Sequence, residues 1–190
     1  MSSGSERMEL SAQQKRALLS ELLRKNNSEV AVAPVSFPQQ RLWLVDQLDP
    51  GNPTYNVPAA FRMTGVLDIR ALERSIREIQ RRHESLRTTF STAEGQPIQL
   101  IHRSAKIALN VIDLSHVDKT SRDTEALRLA IEEGQTRLDI ADGPLFRATL
   151  LRLAPDDHWL LLTLHHIVSD GWSMAVLTRE LTTLYACFSA

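Results

Sequence analysis

Apolar residues recur at helical spacings in four segments of the chain beyond residue 34. Spacings of three and four residues place such positions on one side of a helix, so each segment predicts an amphipathic helix. In SFPQQRLWLVDQL (36–48) the apolar positions are Leu42, Val45 and Leu48. The other three segments are the stretch capped by Asp68, residues 122–138, and the stretch from Ser173 to Phe188.

Alternation of apolar and polar residues predicts strands between these helices. A nearly unbroken apolar run, WLLLTLHH (159–166), is typical of a strand that is buried on both faces. A turn at Gly95-Gln96 favours a hairpin between the strands that flank it. The alternating strands are predicted at 55–65, 87–90, 98–101, 109–113 and 145–153. Helices and strands are mixed along the chain, which predicts an α/β or α+β fold.

The N-terminal 34 residues differ in character from the rest. Residues 1–10 are polar and are expected to be disordered, and Ser11 with Gln14 resembles a capping box. The capping box predicts a leader helix at 11–25, followed by a linker at 26–34. The predicted organisation is therefore a leader and linker over 1–34 and one folded lobe over 35–190.

Composition and charge narrow the class of protein. The chain has 190 residues, 43% of them apolar and 24% charged, and a formal charge of -1 without a separate cluster of Lys and Arg. Nucleic acid is therefore not an expected partner. The single cysteine, Cys187, excludes an internal disulfide and fits a reducing compartment. Without a signal peptide or an apolar run long enough to cross a bilayer, we expect a soluble, cytoplasmic protein with no membrane partner.

Polar residues at the end of the buried run are the candidates for chemistry: His165, His166 and Asp170. Adjacent residues of a strand point to opposite faces, so the two histidines do not readily share one site, which argues against a metal centre. In one interpretation both histidines are structural residues of the core or of a hinge. In the other they mark a site, because a strand end that faces a helix N-terminus suits developing negative charge. Asp170 would then fix the loop or orient an imidazole, and Gly171 would allow a tight backbone path.

Three motifs in order carry a resemblance to a known family. HHIVSDG (165–171) resembles the HHxxxDG motif of nonribosomal peptide synthetase condensation domains, which belong to the chloramphenicol acetyltransferase-like superfamily. RHESLRTTF (82–90) is similar to the family's RHExLRTxF motif at every fixed position, and SFPQQRLWLVDQL resembles SxAQxRLWxL except at Pro38. The resemblance covers the chain from about residue 35 to its C-terminus. It implies a mixed β-sheet flanked by helices, forming the N-terminal lobe of a two-lobed condensation domain.

The resemblance implies a role for each motif residue. His166 matches the active-site histidine, and Gly171 matches the glycine whose backbone lies beside the reacting groups; these two are the catalytic candidates. His165 matches a position with a structural role. No metal or permanently bound cofactor is implied.

Other residues near the motif are expected to support the site. Asp170 matches an aspartate that forms a salt bridge with an arginine, and Arg87 is the first candidate for that partner. Ser169 and Trp172 lie in the same loop and are expected to shape the pocket. Arg82 and Arg41 are less favoured partners of the aspartate. His83 and Glu84 are expected to brace the fold.

The implied reaction joins two acyl groups that are held as thioesters on the phosphopantetheine arms of carrier proteins. The α-amine of the acceptor attacks the thioester of the donor, and the donor thiol leaves. Because a free α-amine has a pKa of about 8, part of it is neutral near pH 7. The histidine could therefore hold the amine in line or accept its proton, and the sequence leaves both roles open. Implied partners are donor and acceptor peptidyl carrier proteins, the C-terminal lobe, and an adenylation domain or upstream synthetase subunit.

The sequence leaves two alternatives to this function open. One is a noncatalytic docking module for a carrier protein or a neighbouring synthetase subunit, supported by the leader helix and the chain length; the other is a CoA-dependent acyltransferase. The family's later motifs have no counterpart here, so the chain alone is expected to be inactive. The aspartate-rich motif of heterocyclization domains is absent, whereas an L- or D-donor type stays open. Cys187 has no designated base and is not expected to be a nucleophile.

Overall fold

A four-stranded sheet has the apolar run near its centre. The computed structural model describes residues 30–104 and 108–190. The strands in these residues are β1 (Val30–Pro34), β2 (Asn56–Thr64), β3 (Thr88–Ala93), β4 (Gln96–His102), β5 (Asn110–Asp113), β6 (Phe146–Ala154) and β7 (Asp157–His165). They form two sheets, with the strand orders β1-β4-β3 and β2-β7-β6-β5.

Strand β7 confirms the prediction of a strand that is buried on both faces. It pairs antiparallel with β2 on one side and with β6 on the other, and β5 extends the sheet parallel to β6. Leu160, Leu162 and Leu164 point to one face and Leu161 to the other, and none of the four is more than 3% exposed. Hydrophobic burial on both faces therefore fixes the position of this strand, and with it the loop that follows.

The described part of the chain contains four α-helices, close to where the apolar spacing predicts them. They are α1 (Phe37–Leu48), α2 (Ile69–Arg82), α3 (Lys119–Gln135) and α4 (Gly171–Phe188). Ser36 and Gln39 form a capping box at the start of α1, and Asp68 accepts the N–H groups of Arg70 and Ala71 at the start of α2. Helix α3 runs over 119–135 rather than 122–138. Helix α4 begins two residues before Ser173 because the carboxylate of Asp170 caps it.

The helices cover both faces of the four-stranded sheet. Helices α2 and α4 pack on one face through Leu72, Ile76, Leu177 and Leu181, which meet the apolar side chains of β6 and β7. Helix α3 packs on the opposite face through Ala126. The result is the expected mixed sheet between helices, with the end of β7 emerging beside the first turn of α4.

The three-stranded sheet corrects one prediction. Residues 30–34, which the sequence places in a linker, form β1 and pair antiparallel with 98–102 of β4. The linker prediction is therefore wrong for this segment. The physical reason is that β4 offers an open edge, on which a short, mostly apolar VAVAP stretch completes its backbone hydrogen bonds. The predicted hairpin about Gly95 is confirmed by the pairing of β3 with β4.

Some predictions fall outside the described residues. The leader helix at 11–25 and residues 26–29 of the predicted linker lie there. The leader helix and the first part of the linker therefore stay predictions. Within 30–104 and 108–190, none of the helices has the length and the apolar character that spanning a membrane requires.

Candidate functional site

The backbone N–H groups of the two histidines are hydrogen-bonded to residues beside the two strands that neighbour β7. The N–H of His165 donates to the carbonyl of Leu145 at 3.0 Å, and the N–H of His166 donates to the carbonyl of Tyr55 at 2.8 Å. Leu145 directly precedes β6 and Tyr55 directly precedes β2, so both neighbours of β7 fix the start of the loop. The side chain of His165 is buried, with 2% of the residue exposed, whereas His166 is exposed. The prediction that one of the two histidines faces the interior is confirmed for His165.

The ring of His166 is oriented by its own loop. Its Nδ1 lies 2.6 Å from the backbone carbonyl oxygen of Ser169. A carbonyl oxygen only accepts, so Nδ1 carries the hydrogen and donates it. In the neutral ring, Nε2 then carries the lone pair. The loop therefore presents an exposed imidazole whose Nε2 can accept a proton or a hydrogen bond from an incoming group.

His165 has a different environment. Its Nδ1 accepts the N–H of Ile167 at 3.1 Å, and its ring lies 6.4 Å from that of Tyr55. Burial lowers the pKa of His165 below its ordinary value, because the charged ring would lose its hydration. The hydroxyl of Ser169 donates to the carbonyl of His165 at 3.0 Å and closes the turn. The ring of His165 thus belongs to the support of the loop.

Asp170 does not form the predicted salt bridge with Arg87. Its carboxylate accepts the backbone N–H of Ser173 at 2.7 Å and the hydroxyl of the same residue at 2.6 Å. These two hydrogen bonds lower the pKa of Asp170. Arg87 instead donates to the carbonyl of His102 at 2.6 Å and lies 3.3 Å from Glu84. Within the described residues no ion pair joins Asp170 to Arg87, because α4 and β4 already engage the two side chains.

The first turn of α4 corrects two further expectations. Gly171 has no left-handed backbone, and a Cβ built on it would meet no atom within 4 Å, so the turn itself does not require glycine. The N-terminus of α4 already holds the carboxylate of Asp170, which weakens the expected attraction of this helix end for a developing negative charge. Trp172 is 80% exposed beside this turn. The space above Gly171 is open to a molecule that approaches the backbone closely.

Gln39 is a site residue that the sequence reasoning missed. Its Oε1 accepts the N–H of Ser36 at 2.9 Å as part of the capping box. Its Nε2 donates to the carbonyl of Ile167 at 3.3 Å and to Oε1 of Gln99 at 3.1 Å. The first motif therefore contacts the histidine loop through this side chain. The sequence signal for this role is the glutamine inside SFPQQRLW. Its partner lies 128 residues away and is identified only by the fold.

The second motif links α2 to α4. Nε2 of His83, at the end of α2, lies 3.0 Å from Oε2 of Glu180 on α4. The backbone N–H of His83 also donates to the carbonyl of Ile79 and ends the helix. This contact joins the two helices that pack on the Leu162 face of the sheet.

The assembled site is the exposed imidazole of His166 on a hydrogen-bonded loop, at the end of a central strand. It can align a nucleophile or accept a proton from it. The described residues include no cluster of three or more His, Cys, Asp and Glu side chains that could hold a metal ion.

Curated relatives with similar sequences are peptide synthetases. The chain is 48% identical over 157 residues to one of the linear gramicidin synthase proteins of Brevibacillus parabrevis, a match that covers 83% of this chain and 2% of the relative. It is 45% identical over 151 residues to phosphinothricin tripeptide synthetase PhsC of Streptomyces viridochromogenes, a match that covers 80% of this chain and 14% of that protein. The chain therefore spans only a small part of these relatives.

Solved structures and a family model agree with this similarity. The first condensation domain of the calcium-dependent antibiotic synthetase, in complex with a substrate analogue, superimposes with a TM-score of 0.75 at 28% identity, over 84% of this chain and 38% of that one. The starter condensation domain of rhizomide synthetase RzmA has the same fold, with a TM-score of 0.75 at 24% identity over 84% of this chain and 40% of that one. The Condensation domain family model matches residues 29–189. The chain therefore belongs to the condensation domain family, and it matches one part of a condensation domain.

Proposed function

We propose that this chain is the histidine-bearing, N-terminal lobe of a condensation domain that forms amide bonds in nonribosomal peptide synthesis. The observation that carries the proposal is the exposed imidazole of His166, with Nδ1 fixed by the carbonyl of Ser169 at 2.6 Å. The substrates would be aminoacyl or peptidyl thioesters on phosphopantetheine arms, delivered by donor and acceptor carrier proteins. The reaction would take place in the cytoplasm, as part of a multidomain synthetase.

His166 would act on the nucleophile. The neutral α-amine of the acceptor donates a hydrogen bond to Nε2. This hydrogen bond directs the lone pair of the amine nitrogen toward the thioester carbonyl of the donor. As the carbon–nitrogen bond forms, the proton of the amine passes to Nε2. Collapse of the tetrahedral intermediate breaks the carbon–sulfur bond, and the protonated imidazole returns its proton to the departing thiolate. The open space above Gly171 would admit the reacting groups.

The direct test supplies both carrier proteins in loaded form. A complete condensation domain that carries this chain as its first lobe is expected to form the acceptor-bound amide, detected by intact-protein mass spectrometry. The 190-residue chain alone is expected to form none above the uncatalysed rate, since it matches only 38% to 40% of solved condensation domains. Product from the chain alone would contradict the assignment of a lobe. Product formed equally well from a free CoA thioester as donor would favour the CoA-dependent alternative.

A noncatalytic docking role is the second candidate, and helix α1 favours it. This helix has no buried residue, and its Phe37 and Leu48 are 84% and 80% exposed. Leu42 and Trp43 pack this helix against the core, and exposed apolar side chains on the rest of such a helix are a typical contact surface for another protein. Binding of a carrier protein with no amide formation by the complete domain would support this role over catalysis.

Gln39 offers a test of how the loop is positioned. Gln39→Glu keeps an acceptor for the N–H of Ser36 but removes both donors, including the one to Ile167. We expect kcat for amide formation by the complete domain to fall about two- to tenfold, since a hydrogen bond contributes about 0.5–1.5 kcal/mol. KM should stay unchanged, because Gln39 aligns the loop and does not hold the substrate.

Gln40→Glu is the matched control, with the same change in charge on the exposed neighbour. The unfolding temperature of Gln39→Glu should match that of the control, because glutamate is accepted at this position of a capping box. An increase in KM at constant kcat would assign Gln39 to substrate binding instead.

A further inference from the structure

A small cavity lies beside the loop that carries His166. It occupies about 150 Å³ between the end of α2 and the first turns of α4. Its walls include Leu86, Leu164, Val168, Trp172 and Val176. Because Trp172 is 80% exposed, the cavity opens to the surface along this edge.

The position of the cavity relates it to the imidazole. His166 directly follows β7, two residues beyond Leu164 of the cavity wall. Val168 and Trp172 lie on either side of the Ser169 carbonyl that orients the ring. The walls of the cavity thus include both flanks of the His166 loop and the strand that leads into it.

The chemistry of the walls favours an apolar guest. Leu86 and Leu164 are 4% and 1% exposed and form the inner wall. Two polar side chains at the rim are engaged, since His83 contacts Glu180 at 3.0 Å and Ser173 binds the carboxylate of Asp170, and a third, Ser85, is an uncharged hydroxyl. A charged guest would lose its hydration without gaining an oppositely charged partner that is free.

The volume limits the size of that guest. An apolar protein cavity of about 150 Å³ holds one benzene molecule. We propose that this cavity receives the side chain of one of the two aminoacyl groups, and that it selects an aliphatic or phenyl-sized side chain. This inference rests on the proposed function, and deepens it by naming a class of substrate. Val176, half-buried on α4, is then a specificity-determining residue.

Direct binding to the 190-residue chain tests the cavity without any catalysis. Benzene is the probe, and chemical shifts of 13C-labelled methyl groups of Val168, Val176 and Leu164 report its binding. We expect these signals to move with benzene concentration, and the effect to be lost in Val176→Phe, in which the new ring fills the cavity. Ala175→Phe, on the exposed neighbouring position, is the matched control and should bind as the unmodified chain does. Shifts that do not respond, or that respond equally in Val176→Phe, would overturn the proposal.

Substrate selectivity in the complete domain tests the assignment itself. Alanyl, leucyl and phenylalanyl groups are compared as donors with one acceptor, and as acceptors with one donor. In either the donor series or the acceptor series, Val176→Phe should lower the ratio of kcat/KM for leucyl to that for alanyl by at least about tenfold. Ala175→Phe should leave both ratios unchanged. The series that responds identifies whether the cavity holds the donor or the acceptor side chain.

The two possible failures have different signatures. If amide forms but Val176→Phe changes selectivity in neither series, the assignment of the cavity is wrong and the proposed function stands. If the unmodified domain forms no amide, the proposed function is wrong, and the substrate assignment falls with it.

Discussion

His166→Ala in the complete domain is expected to lower the rate constant of amide formation by about 10²- to 10⁴-fold, the usual contribution of a positioned acid–base group. Alanine removes the Nε2 lone pair that the hydrogen bond between Nδ1 and Ser169 leaves available. Single-turnover transfer between loaded carrier proteins, quenched at intervals, measures the rate constant without product release. Binding of both carrier proteins should be unchanged, since a single imidazole contributes little to a protein interface.

Two comparisons make this result specific to position 166. His116→Ala removes an exposed imidazole from the loop between β5 and α3, and it should leave the rate unchanged. Free imidazole should restore part of the activity of His166→Ala if the ring accepts a proton, because a diffusible base can replace that function but not the alignment of the amine. A rate that falls less than about threefold in His166→Ala would remove this residue from the mechanism.

The sequence predicts the strand of the site well because burial is encoded locally. The apolar run determines where β7 lies and that its side chains alternate between two buried faces. The capping residue Asp68 likewise specifies a helix start through hydrogen bonds from the N–H groups two and three positions further on. Features that depend on near neighbours in the chain are therefore available before the fold is known.

Partners across the fold could not be predicted in the same way. The pairing of Arg87 with Asp170 failed because the guanidinium finds the carbonyl of His102, at the end of β4. The hydrogen bond from Gln39 to Ile167 could not be predicted for a related reason. It joins two motifs that are far apart in the sequence and meet only in the folded chain. In both cases the chain offers several chemically equivalent partners, and the packing of the sheets selects one. Strand β1 is a third case, since only the open edge of β4 turns its short segment into a strand.

Stability of the lobe depends on the strand that carries the site. Leu162 has no exposed surface, and it lies between Ala59 of β2 and Ala148 of β6 in the pairing of the four-stranded sheet. Leu162→Ala is expected to lower the free energy of unfolding by about 2–5 kcal/mol, through lost burial and the cavity that remains. Urea unfolding of the 190-residue chain, followed by circular dichroism, measures the change.

Leu127→Ala is the matched control, because this leucine on α3 is 53% exposed. Its substitution should change the free energy of unfolding by no more than about 0.5 kcal/mol, as surface substitutions do. Small alanines flank Leu162 on both neighbouring strands, so the sheet has few atoms that can move into the vacated space, and the loss should fall in the upper part of the expected range. Equal effects of the two substitutions would mean that β7 is not the buried centre of this sheet. The His166 loop would then lose the rigid support on which its proposed chemistry depends.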